Sequence, residues 1–229
     1  MRCAARVAIG LAIVSAIAAE ASGQTTSADD PRSSGRFEFG AGAIWIGHAG
    51  FGSRDATETA ATGGRFVLFS ASSRLDAAVG VEGRLGVRLS RVVEVDADTS
   101  YSTPALRTSI TSDVESSASA VATVKIRQFT IGAAVLAHLL RWRAGAHGMP
   151  FVEAGAGYLR QLYDTRSLVE TGQTYYAGGG VKFTAARRGR VRAIGLRADV
   201  RALVRTKGVA IDGRAHVAPA AGASLFVRF

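Results

Sequence analysis

Between Leu75 and Tyr101 the chain alternates apolar and polar residues almost without interruption. Leu75, Ala77, Val79, Val81, Gly83, Leu85, Val87 and Leu89 interleave with Asp76, Ala78, Gly80, Glu82, Arg84, Gly86 and Arg88. Past Ser90 and Arg91 the pattern resumes, with Val93, Val95, Ala97, Thr99 and Tyr101 set against Glu94, Asp96, Asp98 and Ser100. A period of two places one class on each face of a strand. The polar face carries seven charged residues, and the two-residue break reads as a tight hairpin. Such a face must meet either water or the inside of a closed wall whose other face meets lipid. We read the stretch as a membrane-spanning β-hairpin, lipid outside and charge within.

The rest of the chain sets limits on that reading. Its 229 residues suit one domain. Residues 1–23 read as a secretory signal peptide: Arg2 and Arg6, an apolar run from Val7 to Ala19, then small residues offering cleavage near Ala19–Ala21 or Ala21–Gly23. No stretch reaches the ~20 uncharged apolar residues that a spanning helix needs, so an exported chain in a membrane must cross as strands. Residues 24–35 are polar and aperiodic, which predicts a short disordered lead. Residues 36–229 then form the barrel domain. Cys3 is the only cysteine, so the mature chain has no thiol chemistry and no cysteine metal site. The formal charge is +10, and removing Arg2, Arg6 and Glu20 leaves +9.

Eight strands are expected. The first carries Phe37, Phe39, Ala41, Ala43 and Trp45 outward, against Glu38, Gly40 and Gly42. Residues 47–74 read as a long loop in which Val67, Leu68 and Phe69 prolong the second strand. The hairpin supplies strands two and three, and a Ser-rich loop runs from Thr103 to about Ala120. Strand four has Phe129, Ile131, Ala133, Val135, Ala137 and Leu139 outward; its inner face (Gly132, Ala134, Leu136) is weakly polar, which leaves a helix over 131–140 as the alternative. Strand five is PFVEAGAGYLRQL, from Pro150. A loop at 164–173 leads to strand six (Tyr175 to Phe183), and a turn at 185–191 leads to strand seven (Ile194 to Arg205). Strand eight runs from Val217 to Phe229, and Pro219 within it calls for a bulge or a place above the lipid.

Short and long connections alternate, as in transmembrane barrels, and an open sheet would leave unpaired edges in lipid. Three regularities agree. On the outward face Trp45, Tyr101, Tyr158 and Tyr175 fall at the upper strand ends, and Phe37, Phe183 and Phe229 at the lower, as interfacial belts do. Glycines face inward almost throughout, leaving room for long charged partners. The inward face sums to eight acids (Glu38, Asp76, Glu82, Glu94, Asp96, Asp98, Glu153, Asp199) and seven bases (Arg84, Arg88, Lys182, Arg197, Arg201, Arg205, Arg228). That near-balance suits a lumen of ion pairs. The competing fold is a soluble secreted barrel, with the apolar face inside and the charges around its perimeter.

On the signal peptide, the eight amphipathic strands, the segment PFVEAGAGY and the terminal AGASLFVRF, the chain resembles the small outer-membrane β-barrel proteins of the OmpA/OmpX type. The resemblance implies an eight-stranded antiparallel up-and-down transmembrane β-barrel in the cell outer membrane. It also implies that Leu225, Val227 and Phe229, on one face of the last strand, form the signal read by the outer-membrane assembly machinery.

Specific chemistry is sparse. Barrel enzymes that modify lipid A exist, but a serine nucleophile needs a histidine within reach and a group to orient it. None of His48, His138, His147 and His216 has a serine two residues away on its strand face. No catalytic, cofactor or metal site is expected. Arg187, Arg188, Arg190 and Arg192, with Arg141 and Arg143 nearby, suit inner-leaflet phosphates better than nucleic acid. A turn centred near residue 145 sets Phe129 beside Arg160, so Lys125, Arg127 and Arg160 would face outward above the upper belt. Arginine forks there match lipopolysaccharide phosphates; a solvated loop face is the alternative. The expected role is structural or interactive, as a monomer contacting lipid or a partner through loops. A narrow channel or carrier for small or apolar solutes is the first alternative, and a lipid-modifying enzyme the second. Eight strands leave no continuous water path once the inner side chains pack.

Overall fold

A computed structural model describes residues 36–111, 119–142, 147–163, 169–188, 191–208 and 214–229, with backbone alone at 186–188, 191 and 192. The expected signal peptide at 1–23 and lead at 24–35 lie outside these residues. Every regular element described is a strand: β1 (Phe37–Ile46), β2 (Ala49–Thr59), β3 (Arg65–Leu75), β4 (Ala78–Arg88), β5 (Val93–Ser102), β6 (Ala105–Thr111), β7 (Ala120–His138), β8 (Gly148–Tyr163), β9 (Val169–Arg188), β10 (Val191–Lys207) and β11 (His216–Arg228).

Eight of these are the staves of one antiparallel barrel, in the order β1, β4, β5, β7, β8, β9, β10, β11. The wall closes where β11 returns to β1, from Glu38 opposite Arg228 to Ile46 opposite Ala220. Each stave therefore has a hydrogen-bonded neighbour on both sides, which removes the edges. The end where β1 begins and β11 finishes is the lower end. The helix considered over 131–140 is absent, since β7 is a strand as far as His138. Phe129 lies opposite Arg160.

The first turn differs from the two-residue break expected of it. Leu89 N donates to Val93 O, so the turn is the three residues Ser90, Arg91 and Val92. Ser90 Oγ accepts from the N–H groups of Val92 and Val93, which holds it shut. An odd-numbered turn is what lets two outward residues, Leu89 and Val93, face each other.

Three expected loops contain strands. Residues 47–74 form the hairpin β2–β3. Gly52, at φ 82°, sits at a register shift in β2, and Gly63, at φ 84°, sits in the turn that Ala60 and Gly64 close; both backbones take a left-handed conformation that favours glycine. Val67, Leu68 and Phe69 prolong the second stave, within β3. The Ser-rich loop from Thr103 holds β6, while 112–118 lie outside the described residues. The loop at 164–173 gives way to β9 from Val169. In place of the turn expected at 185–191, β9 runs to Arg188, which pairs with Val191, and the register shifts between Val191 and Gly195; residues 189 and 190 lie outside the described residues. Strands β2, β3, β6 and the upper end of β7 form a sheet that carries four staves past the rim.

That extension corrects two facing assignments. Asp76 and Ala77 break the extended chain between β3 and β4, and the break reverses the parity. Leu75, expected outside, is buried with Ala49, Phe51, Leu106, Ile126 and Ala218 in an apolar cluster above the lumen. Asp76, expected inside the lumen, instead accepts from Arg107 Nε at 2.6 Å.

Pro219 is accommodated by the end of β1. Gly47 N donates to Pro219 O at 2.8 Å, just past the last β1–β11 pair, Ile46–Ala220. In an antiparallel strand a residue's own N–H and C=O point to the same neighbour. The N–H that proline lacks is thus missing only where β1 has already broken off at Gly47.

Candidate functional site: the lumen network and the outer surface

The wall is greasy outside and charged within. Val79, Val200 and Leu225 are 68%, 66% and 62% exposed, whereas Glu94 and Arg197 are 1% and 2% exposed. A soluble barrel with a dry apolar inside requires the opposite sidedness. With Asp76 outside, the described lumen holds seven acids and seven bases.

Strand parity delivers a central cluster from β4, β5, β8 and β10. Arg197 donates to Asp96 at 2.8 Å, Glu153 at 2.7 Å and Asp199 at 3.1 Å, and its guanidinium lies 4.5 Å from the Phe151 ring centre. Arg201 donates to Glu82 at 2.9 Å and Asp199 at 2.6 Å. Arg84 donates to the same two carboxylates, at 2.9 Å and 3.2 Å. Asp98 accepts from the Tyr176 hydroxyl. A second cluster lies lower, where Lys182 donates to Glu38 and Glu94, both at 2.6 Å. Arg228 joins Glu38, His138 Nε2 lies 2.8 Å from Glu94, and Arg88 reaches Glu94 at 3.8 Å. Shared carboxylates give most of these buried charges a partner, which burial demands.

Glycine makes the space. A Cβ at Gly222 would sit 3.0 Å from Glu82 Oε1 and 3.1 Å from Arg201 Nη2, and one at Gly86 would meet Asp96 and Glu94 oxygens at 2.7 and 2.8 Å. Inward glycines also admit rings: Gly155 faces Tyr176 and Gly195 faces Phe226. Above the ions Ile44, Ile46, Leu203 and Ala220 pack with Tyr176, while Leu136 and Phe151 belong to the same buried cluster. The lumen is therefore partly apolar, which the charge pattern alone did not suggest. Parity would have found Tyr176 and Ile44, because each lies between two outward residues.

On the outside Trp45, Tyr101, Tyr158 and Tyr175 are exposed at the upper ends of the staves, and Phe37 and Phe183 at the lower. Leu225 and Phe229 are exposed on the last strand and Val227 is half-buried between them. The Phe229 ring meets Phe39 edge-on at 6.0 Å. Lys125, Arg127 and Arg160 are exposed on the outward face of β7 and β8. Arg160 lies opposite Phe129, Arg127 opposite Leu162, and Lys125 opposite Ala105 of β6. Arg141 is exposed in a lower turn; Arg143 and Arg190 lie outside the described residues, as do the side chains of Arg187, Arg188 and Arg192. Among the histidines, His138 belongs to the lower ion cluster and His48 Nδ1 accepts from Ala77 N at 3.2 Å. His216 meets the Phe51 ring edge-on.

No family model and no curated protein matches the sequence. The fold is nevertheless found among solved structures. The crystal structure of Neisserial surface protein A (NspA) is similar over 84% of this chain and 97% of that one, with 14% identity and a TM-score of 0.51. The outer membrane protein OprG from Pseudomonas aeruginosa is similar over 86% of this chain and 97% of that one, with 8% identity and a TM-score of 0.51. The chain thus has the fold of the small eight-stranded outer-membrane β-barrels.

Proposed function

We propose that the protein is an integral, monomeric barrel of the bacterial outer membrane with a non-enzymatic role in envelope structure or in contact with lipid or a partner. One observation carries this reading: a closed wall exposes an apolar band that includes Val79, Leu85, Val200 and Leu225, bounded by Trp45, Tyr101, Tyr158 and Tyr175 above and by Phe37 and Phe183 below. Water has no use for such a surface, and hydrocarbon selects it. In this reading Leu225, Val227 and Phe229 engage the assembly machinery, and the sheet of β2, β3 and β6 stands clear of the bilayer as the presenting surface. Lys125, Arg127 and Arg160 meet lipopolysaccharide phosphates just above the belt, where guanidinium forks pair with phosphate oxygens.

Electrophoresis of the membrane fraction with and without boiling tests the location. A lipid-embedded closed barrel resists detergent until heated, so the unboiled band should migrate differently; equal mobility together with recovery in the soluble fraction would refute it. The lipid contact has its own test. Reversing Lys125, Arg127 and Arg160 to glutamate should lower the melting temperature in lipopolysaccharide-containing bilayers and leave it unchanged in uncharged detergent. No difference between the two media would discard the phosphate contact.

A further inference from the structure

Six of the seven lumen bases lie against a carboxylate: Arg84, Arg88, Lys182, Arg197, Arg201 and Arg228. Arg205 does not. It is 3% exposed, stands opposite Thr174 and His216 in the ladders of β10, and has no ion pair among the described residues. Its Nη1 is buried without a hydrogen-bond partner. Arg205 lines a cavity of about 30 Å³ in the upper lumen, together with Gln128, Thr130, Thr174, Ile44 and Leu203.

An arginine cannot shed its proton to escape this position, and an unpaired buried charge is costly. Asp98 also borders the cavity; its Oδ1 accepts from the Tyr176 hydroxyl, and it makes no ion pair with Arg205. The remaining polar lining offers donors. Thr130 and Thr174 bring hydroxyls, and Gln128, whose carbonyl accepts from Gln161, has its amide NH2 left to give. The volume holds about two water-sized species, which suits a monatomic anion and a water. We propose that Arg205 holds a halide-sized anion in this cavity, with Gln128, Thr130 and Thr174 as neutral donors. The site depends on the closed barrel and not on where the barrel resides.

The test uses the purified full-length barrel in detergent. Crystals grown in sodium bromide should give an anomalous peak within hydrogen-bond distance of the Arg205 guanidinium. Thermal unfolding in sodium chloride should lie above that in sodium gluconate at equal ionic strength, since gluconate is too large to enter. Arg205→Met should abolish this chloride-dependent rise, and in gluconate it should melt no lower than the wild type. Thr174→Val, which keeps the arginine, should need several-fold more chloride for the same rise. The proposal is overturned if the cavity shows water without bromide, or if Arg205→Met keeps the full chloride effect. A bromide peak with no halide dependence of melting is binding at crystal concentration only, and also overturns it. Should Arg205→Met fail to fold, the wild-type peak and the Thr174→Val titration decide.

Discussion

Replacing Arg197 by methionine tests whether the lumen charges are bound to one another as the geometry describes. Arg197 touches three carboxylates, and they do not depend on it equally. Glu153 keeps Arg201 at 3.3 Å and Arg84 at 3.7 Å. Asp199 keeps Arg201 at 2.6 Å and Arg84 at 3.2 Å. Asp96, 2% exposed, has no second base in salt-bridge range among the described residues. The substitution therefore orphans one buried carboxylate and weakens two others. Breaking one side of a buried pair costs about 3–5 kcal/mol; methionine replaces much of the apolar stem, though not the guanidinium that lies over the Phe151 ring. We expect Arg197→Met to lose about 3–5 kcal/mol, nearly all of it at Asp96.

Two comparisons make the estimate refutable. Adding Asp96→Asn should restore more than half of the loss, because the orphaned charge is gone. Arg201→Met should cost less, about 1–3 kcal/mol, because each carboxylate it touches has another base: Glu82 keeps Arg84 at 2.9 Å, and Glu153 and Asp199 keep Arg197. Urea unfolding of the barrel refolded into vesicles reads these values from the fluorescence of Trp45 and Trp142, the only two tryptophans. A loss below about 1 kcal/mol for Arg197→Met, or further loss on adding Asp96→Asn, would mean that the network is not paired in this way.

Other outcomes follow from the same packing. Gly222→Val pushes methyls into Glu82, Arg201 and Asp199 and should cost about 1–3 kcal/mol, whereas Gly83→Ala, whose nearest neighbour is a Thr99 methyl at 3.5 Å, should be close to neutral in the same unfolding assay. Leu75→Ala empties the apolar cluster above the rim; it should speed proteolysis at the turn between β2 and β3 while leaving the heat-dependent gel shift intact. Planar-bilayer recordings should show negligible steady conductance, because ion clusters and the Ile44–Leu203 layer fill the lumen in succession; steady ohmic current would favour a channel.

The staves were legible where alternation is strong and both faces are distinctive. In β4 and β5 every charged inner residue sits between outward uncharged ones, so a single period decides the element. The register of β7 against β8 was legible too, because the centre of a turn fixes which residues face each other. The extension was not. Between Gly50 and Arg74 the composition is that of a loop; β2 and β3 pair with each other as a hairpin, and β3 finds its second partner far along the chain, as in Arg74 against Arg107. Leu75 was misplaced for a related reason: the Asp76–Ala77 break reverses parity, and a pattern read straight through it cannot register the reversal. Which acid meets which base is a tertiary fact. Arg205 and Arg201 look alike in sequence, yet one is buried alone and the other shares three carboxylates.

The ion network also explains why the staves find a single register. Stability alone does not require it, since a well-packed apolar core often matches a buried ion cluster. Register is a different problem, because a slip of one residue turns every side chain to the other face. In a barrel that sits in lipid, slipping β10 would bring Arg197, Asp199 and Arg201 out against hydrocarbon, and each arginine near the midplane costs about 2–4 kcal/mol. Two such residues consume much of the ~5–15 kcal/mol that holds a typical domain folded. β7 has less of this protection: apart from His138, Gln128 and Thr130 toward its ends, its inner residues Gly132, Ala134 and Leu136 could face lipid at little cost. Its alignment must come from the neighbours it pairs with, through Glu94 and Asp96 on β5 and Glu153 on β8. The weakly polar inner face that made a helix plausible over 131–140 is thus the same property that leaves this stave dependent on the charged walls beside it.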